Sequence, residues 1–160
     1  MKVLLPVDGS AGSLAAVSHA LTLVEQGLDA SFVLANVQEL PSLYEVVTAH
    51  DTEVLTQVRR AAGTDQLQAA EALLQAAEVD YEIEIASGSP ANLLVDLLEN
   101  YGCDAVVMGA RGVGDPEAGG IGSVAEALLL HSPAPVTLVR LKAAEELLAE
   151  PDEPSEPEPS

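Results

Sequence analysis

Apolar and polar positions along the chain fall into short blocks that alternate between two periods. Lys2 to Asp8 carries Val3, Leu4, Leu5 and Val7 in one run, the pattern of a short buried strand, and stops at the turn-forming cluster Asp8-Gly9-Ser10. Leu14, Val17, Leu21, Val24 and Leu28 then recur at helical spacing. They predict a helix capped by Ser10 or Ser13 and stopped at Gly27. Ala30 to Gln38 reads as a second strand, with Phe32, Val33, Leu34 and Val37 as its apolar positions. Glu39 to Thr52 shows no clear period, and Pro41-Ser42 suggests a loop. Residues 53–62 and 65–78 look like two helical pieces separated by Gly63-Thr64. The second piece carries Leu67, Ala70, Leu73, Leu74 and Ala77.

Tyr81 to Ala86 alternates, with Glu82 and Glu84 on the wet side, which predicts an edge strand. Ser89-Pro90 opens a helix with the stripe Leu93, Leu94, Leu97, Leu98 and Tyr101, and Gly102 closes it. Asp104 to Gly109 reads as a fully buried strand, Gly109 to Gly122 as a glycine-rich loop, Ser123 to Leu130 as a helix and Pro135 to Leu141 as a last strand. Strands and helices alternate throughout. The expected fold is therefore α/β: a single open five-stranded parallel sheet, doubly wound, with helices on both faces. Such sheets take ligands outside the carboxyl ends of their strands, where the strand order reverses. The expected domain is residues 1–142. Residues 143–160, rich in proline and acids, are expected to form a mostly disordered tail: the first part can extend as a short helix, and beyond Glu150 there is no apolar surface to bury.

Composition sharpens this picture. The chain is 160 residues long, 48% hydrophobic and 2% aromatic, so Leu, Val, Ile and Ala must build the core. The formal charge is −20, and without the acids beyond Ala143 the body still carries 19 acidic residues against six basic ones. Nucleic acid and anionic membrane surfaces are poor partners for such a field. The acidity suits solubility and equally a salty cytoplasm. One cysteine, Cys103, excludes an internal disulfide and a cysteine-based zinc cluster, and reads as a small buried hydrophobe. His19, His50 and His131 show no ligand spacing. The opening Met1-Lys2, followed directly by Val3-Leu4-Leu5-Pro6-Val7, does not read as a signal peptide, and no apolar run has the length of a membrane span. A cytoplasmic protein is expected.

The segment richest in chemistry is Met108-Gly109-Ala110-Arg111-Gly112, followed nine residues later by Gly122-Ser123-Val124. Glycine lets backbone N–H groups approach phosphate oxygens without a Cβ in the way. Gly122 and Ser123 open a helix, whose free N–H groups and dipole favour an anion. Asp8, at the end of the first strand, faces the same crevice. Each residue has a plainer reading as well. Ser123 with Glu126 forms a capping box, Asp8 is a turn residue, and Arg111 can pair with one of many carboxylates.

The spacing Gly-x2-Gly-x9-Gly-Ser resembles the ATP-binding motif of universal stress proteins. Val7-Asp8-Gly9-Ser10, Gly88-Ser89-Pro90, Asp104 to Gly109 and Pro135 to Arg140 fit the same family in the same order, over roughly residues 2–141. The resemblance implies a nucleotide site in which Asp8 lines the pocket and the backbone of Val37 meets adenine. It implies that Gly109, Gly112, Gly122, Ser123 and Val124 hold the phosphates, with Met108 and Arg111 in the same loop. It further implies an ATP-binding regulatory protein of the stress response, using Mg²⁺ and forming a homodimer through the last strand. No Walker lysine and no recognisable catalytic set is present, so at most slow hydrolysis is expected and no catalytic residue is assigned. The loop departs from what an anion prefers: it contains Asp115 and Glu117, and Arg111 is its only cation. A nucleotide-free dimeric interaction module of the same fold is therefore the alternative. An adenylate-forming enzyme of the related ATP-pyrophosphatase type is disfavoured, because the first loop, Asp8 to Ser13, lacks that class's Ser-Gly-Gly-x-Asp-Ser pattern.

Overall fold

The computed structural model describes residues 1–39, 52–111 and 121–141. The expected loop between residues 40 and 51, the acidic loop residues Asp115 and Glu117, and the tail lie outside them. Five strands, β1 (Lys2–Pro6), β2 (Ser31–Gln38), β3 (Tyr81–Ser87), β4 (Ala105–Gly109) and β5 (Val136–Val139), form one sheet in the order β3-β2-β1-β4-β5. All the pairings are parallel, and β3 is an edge strand as its alternation predicts. The strand order reverses between β1 and β4, which makes the crevice beyond their carboxyl ends the switch point of the sheet.

Helices α1 (Ala11–Glu25) and α2 (Thr52–Ala76) cover one face, and α3 (Pro90–Tyr101) and α4 (Ser123–His131) the other. Alternate residues of each inner strand feed opposite cores. Val3 and Leu5 of β1 join Phe32 and Leu34 under α1 and α2. Leu4, Val33 and Ala35 join Val106 and Met108 under α3 and α4. This two-sided burial is why the inner strands read as continuous apolar runs. β3 departs from simple alternation, since Ile83 is 40% exposed.

Helix starts follow local chemistry, with two corrections. Ser10 caps α1 by accepting from the Ser13 N–H at 3.2 Å. Ser89 stands at the N-cap of α3 without a side-chain capping bond, and Pro90 occupies the first turn. α4 starts at Ser123 as expected, but Gly122 holds its N-cap, so the plainer reading of Ser123 as a capping box with Glu126 does not apply. The helix has begun one residue earlier than the Ser-x-x-Glu pattern suggests.

The second correction concerns Gly63. The two pieces 53–62 and 65–78 are one helix of 25 residues. Gly63 is buried in its middle, where a Cβ would lie 2.9 Å from Asn36 Oδ1 and 2.9 Å from Ile85 Cγ2. The glycine is there for close approach of helix to sheet, not to break the helix. The 11 residues before it, at about 1.5 Å each, carry α2 roughly 16 Å toward and past the carboxyl edge. Val54 and Val58 on this stretch are accordingly exposed.

Gly63→Ala tests the assignment by its sign. Helix propensity alone favours alanine by about 1 kcal/mol. A crowded Cβ at this contact should outweigh that gain and leave a net loss of about 1 kcal/mol or more. Denaturant unfolding of the two proteins measures the difference, and a stabilised variant would show that α2 has room to spare.

Candidate functional site

The carboxyl ends of β1 and β4 are brought together by a contact between backbones. α1 leaves β1 through Asp8-Gly9-Ser10 and immediately crosses the end of β4. A Cβ on Gly109 would lie 2.8 Å from the carbonyl carbon of Gly12, and a Cβ on Gly12 would lie 2.8 Å from the carbonyl oxygen of Arg111. Both positions require glycine whether or not a ligand is present. Gly9 is a separate case: its φ of +84° belongs to the left-handed region, which favours glycine.

The loop that follows β4 is closed at its base. Ala110 N–H donates to Val139 O at 2.9 Å, and Gly122 N–H donates to Ala110 O at 2.8 Å. α4 therefore starts against the end of β4, beside the Gly12–Gly109 contact. Among the described residues, no side chain caps its N-terminus. The first-turn N–H groups of Ser123, Val124 and Ala125 precede the first intrahelical bond, from Glu126 N–H to Gly122 O at 2.9 Å. Ala125 is buried, and Val124 packs on the core beneath, so this turn is held by its own side chains.

The other residues expected at the site fall into three groups. Asp8 is half-buried, and its Oδ1 accepts from Ser10 N–H at 2.9 Å. The register pairs Pro6 with Ala35, so Val37 stands two positions further along β2, level with Asp8. Arg111 is exposed at the mouth of the crevice. Met108 does not reach the crevice with its side chain, which belongs to the core under α3 and α4. Gly112 lies outside the described residues. The structure thus brings Asp8, Val37, Gly109, Arg111, Gly122, Ser123 and Val124 to one end of the sheet.

Charge is unevenly distributed around this end. Among the described basic side chains, Arg111 follows β4, Arg140 follows β5, and Arg60 lines a groove with Thr56, Ile85 and Ser87 at the carboxyl end of β3. Lys2 stands at the opposite edge, 3.6 Å from Glu82 and 5.8 Å from the Tyr101 ring centre. A second groove opens there, between Phe32, Asp80 and Tyr81. Neither groove includes the β1–β4 crevice. Cys103 is half-buried rather than fully buried, and desolvation pushes its thiol pKa up, the opposite of an activated nucleophile.

Three features of this end were not read from the sequence. Gly12 is one. The others are Asn36, which is 1% exposed, and the amides around it. Asn36 Nδ2 donates to Val7 O at 2.9 Å and to Gln66 Oε1 at 2.8 Å. Gln38 Nε2 donates to Asn36 Oδ1 at 2.6 Å and to Gln66 Oε1 at 2.9 Å. A lone Asn inside Phe32-Val33-Leu34-Ala35-Asn36-Val37 is the signal that marks it: a buried amide needs partners.

The sequence model of the universal stress protein family matches residues 1–140, and the chain belongs to that family. Universal stress protein MJ0531 of Methanocaldococcus jannaschii is 27% identical over 139 residues, covering 87% of this chain and 81% of its own. Among solved structures, universal stress protein UspA from Lactobacillus plantarum superposes with a TM-score of 0.72 at 22% identity, over 88% of this chain and 97% of its own. A universal stress protein family protein from Arabidopsis thaliana with AMP bound gives 0.67 at 20% identity, over 91% and 94%. A universal stress protein in complex with cAMP gives 0.63 at 23%, over 87% and 96%. These likenesses establish the fold. No helix among the described residues is long and apolar enough to cross a membrane.

Gly109→Ala separates architecture from ligand contact. The added methyl group meets backbone atoms of Gly12 and Arg111 that have no rotamer to adopt, and overpacking of this kind costs about 1–3 kcal/mol. Unfolding of the ligand-free protein should register that loss. A variant as stable as the parent would mean that α1 can lift off β4.

Proposed function

We propose that this chain binds ATP in the β1–β4 crevice and serves as a nucleotide-responsive regulator in a stress response. The observation that carries the reading is the N-terminus of α4, uncapped by side chains among the described residues and bonded to the end of β4 at the point where the strand order reverses. In this reading the N–H groups of Ser123 and Val124 meet phosphate oxygens, with Gly109, Gly112 and Gly122 keeping side chains out of their path and Arg111 supplying positive charge. The nucleoside lies toward Asp8 and the backbone of Val37. AMP and cAMP in two solved relatives support the choice of an adenine nucleotide.

Mg²⁺ would accompany the triphosphate and offset its charge near an acidic protein. Among the described residues, no group of three or more His, Cys, Asp or Glu is arranged to hold a metal. Nothing assigns a catalytic base, so the proposed role is binding and signalling, in a cytoplasmic setting, with hydrolysis slow at most. β5 ends the sheet opposite β3, with Thr137 exposed. Its outer edge suits pairing with the same strand of a second copy.

Gly122→Asp tests the site with an unusual control. Gly122 has φ −63° and ψ 156°, which any residue adopts, and aspartate is a favoured N-cap. The ligand-free variant should be as stable as the parent or gain a few tenths of a kcal/mol. Its carboxylate would occupy the N–H groups that the phosphates need and repel them. One unit charge about 4 Å from another at an effective dielectric near 20 is worth roughly 4 kcal/mol, or about a thousandfold in affinity. Calorimetric titration with MgATP should show that loss; unchanged affinity in the folded variant would exclude the site and favour the nucleotide-free module. For β5 pairing, light scattering at high micromolar concentration should give the mass of two chains, and a monomer there would refute it.

A further inference from the structure

The buried amide cluster at the carboxyl ends of β1 and β2 has one definite orientation. The carbonyl of Val7 can only accept, so Asn36 must present its Nδ2 to it. The same nitrogen then gives its second hydrogen to Gln66, which must present Oε1. Gln38 Nε2 donates to Asn36 Oδ1 and to Gln66 Oε1, which completes the set. Every orientation follows from one backbone oxygen. What remains over is Gln66 Nε2, a donor with two hydrogens and no hydrogen-bond partner among the described residues. Because Oε1 is held by Asn36 and Gln38, the planar amide turns Nε2 away from them.

The place of this donor matters. The Gln66 side chain lies across the Asp8-Gly9 turn, where a Cβ on Gly9 would stand 3.1 Å from Gln66 Cγ. Gln66 is only half-buried, so the amide sits at a rim and not within the core. The end of β4 and the start of α4 lie on the Gly12 side of that turn. If phosphates bind at α4, the remainder of the ligand extends over β1 and β2, toward Asp8, Val37 and Gln66.

We infer that Gln66 of α2 is a further binding residue of the site, its Nε2 donating to an acceptor on the nucleoside portion, a sugar oxygen or a ring nitrogen. This rests on the nucleotide reading above. The cluster explains how a donor on a helix is held ready: three amides share its orientation, so little freedom remains to be lost on binding.

Two substitutions in the full chain separate contact from support. Gln66→Leu removes both the donor and the acceptor that satisfies Asn36 and Gln38. Gln66→Glu keeps an oxygen for Asn36 and Gln38 but removes the donor and adds a negative charge, whose effect the comparison of AMP with ATP separates. Titrations with AMP and with MgATP are the probes. A ligand contact at the nucleoside end predicts that both variants lose about tenfold in affinity, the worth of one hydrogen bond of about 1.4 kcal/mol, and by a similar factor for AMP and ATP. A purely structural role predicts that Gln66→Glu restores parental affinity, and that result would overturn the inference. A loss confined to Gln66→Glu and larger for ATP than for AMP would be charge repulsion alone, and would overturn it too. The parental protein supplies a measurement that needs no stable variant: the Gln66 side-chain amide signals in a ¹H–¹⁵N spectrum should shift on addition of AMP, and signals that stay in place while AMP binds would rule out the contact. A parental protein that binds neither nucleotide defeats the nucleotide reading itself, a result distinct from each of these.

Discussion

The contact between Gly12 and Gly109 is the constraint on which the site depends. α1 has to turn sharply off β1 and then pass over the end of β4, the neighbour on the far side of the reversal in strand order. Helices normally stand off a sheet by the length of their side chains. Here the first turn of α1 comes down until its carbonyl group would meet any Cβ on Gly109. The approach draws the Asp8 turn, the end of β4 and, through Gly122 N–H to Ala110 O, the start of α4 into one place. An asymmetric crevice follows: backbone donors on the β4 side, a carboxylate and an amide on the β1 side.

A second close approach shapes the β2 side of the same end of the sheet. Gly63 lets α2 settle against Asn36 and Ile85, and this brings Gln66 down onto the Asp8-Gly9 turn. Asn36 in turn takes hold of the Val7 carbonyl, the last core residue before that turn. The same short distance thus supports a polar bond network that runs from buried Asn36 to half-buried Gln38 and Gln66. An apolar residue at position 36 would take a hydrogen bond from the buried Val7 carbonyl and leave Gln38 and Gln66 bonded only to each other, at about 1–3 kcal/mol for an unsatisfied buried group.

The order of elements, the parallel sheet and the edge position of β3 were all legible in the sequence, because they depend on periodicities of several residues that no single contact can override. Spacing and the resemblance to a family motif singled out Asp8, Val37, Gly109 and Gly122, which the structure brings to one end of the sheet. Reading failed where a residue type has more than one physical use. Gly63 looks like a helix stop when seen alone; only the sheet beneath it shows that the missing side chain is what matters. Ser123 looks like a cap because Glu126 follows at the right distance, yet the helix takes Gly122 as its N-cap. Gln66 falls on the polar side of an amphipathic pattern, and nothing nearby in the sequence reveals that Asn36 and Gln38 arrive from another strand.

The acidity of the chain bears on how such a site could work. At a charge of −20 the long-range field opposes any phosphate. Salt limits that field to about 8 Å at physiological strength, whereas N–H groups at a helix start act at contact distance, within the first turn. Arg60, Arg111 and Arg140 stand toward the carboxyl edge, while Lys2 is spent at the amino edge on Glu82. In the proposed site, attraction of a phosphate is thus local rather than global, and selectivity has to come from geometry. Hydrogen-bond donors fixed by packing, at α4 on one side and by amides on the other, are the kind of recognition that an acidic protein can use without neutralising itself.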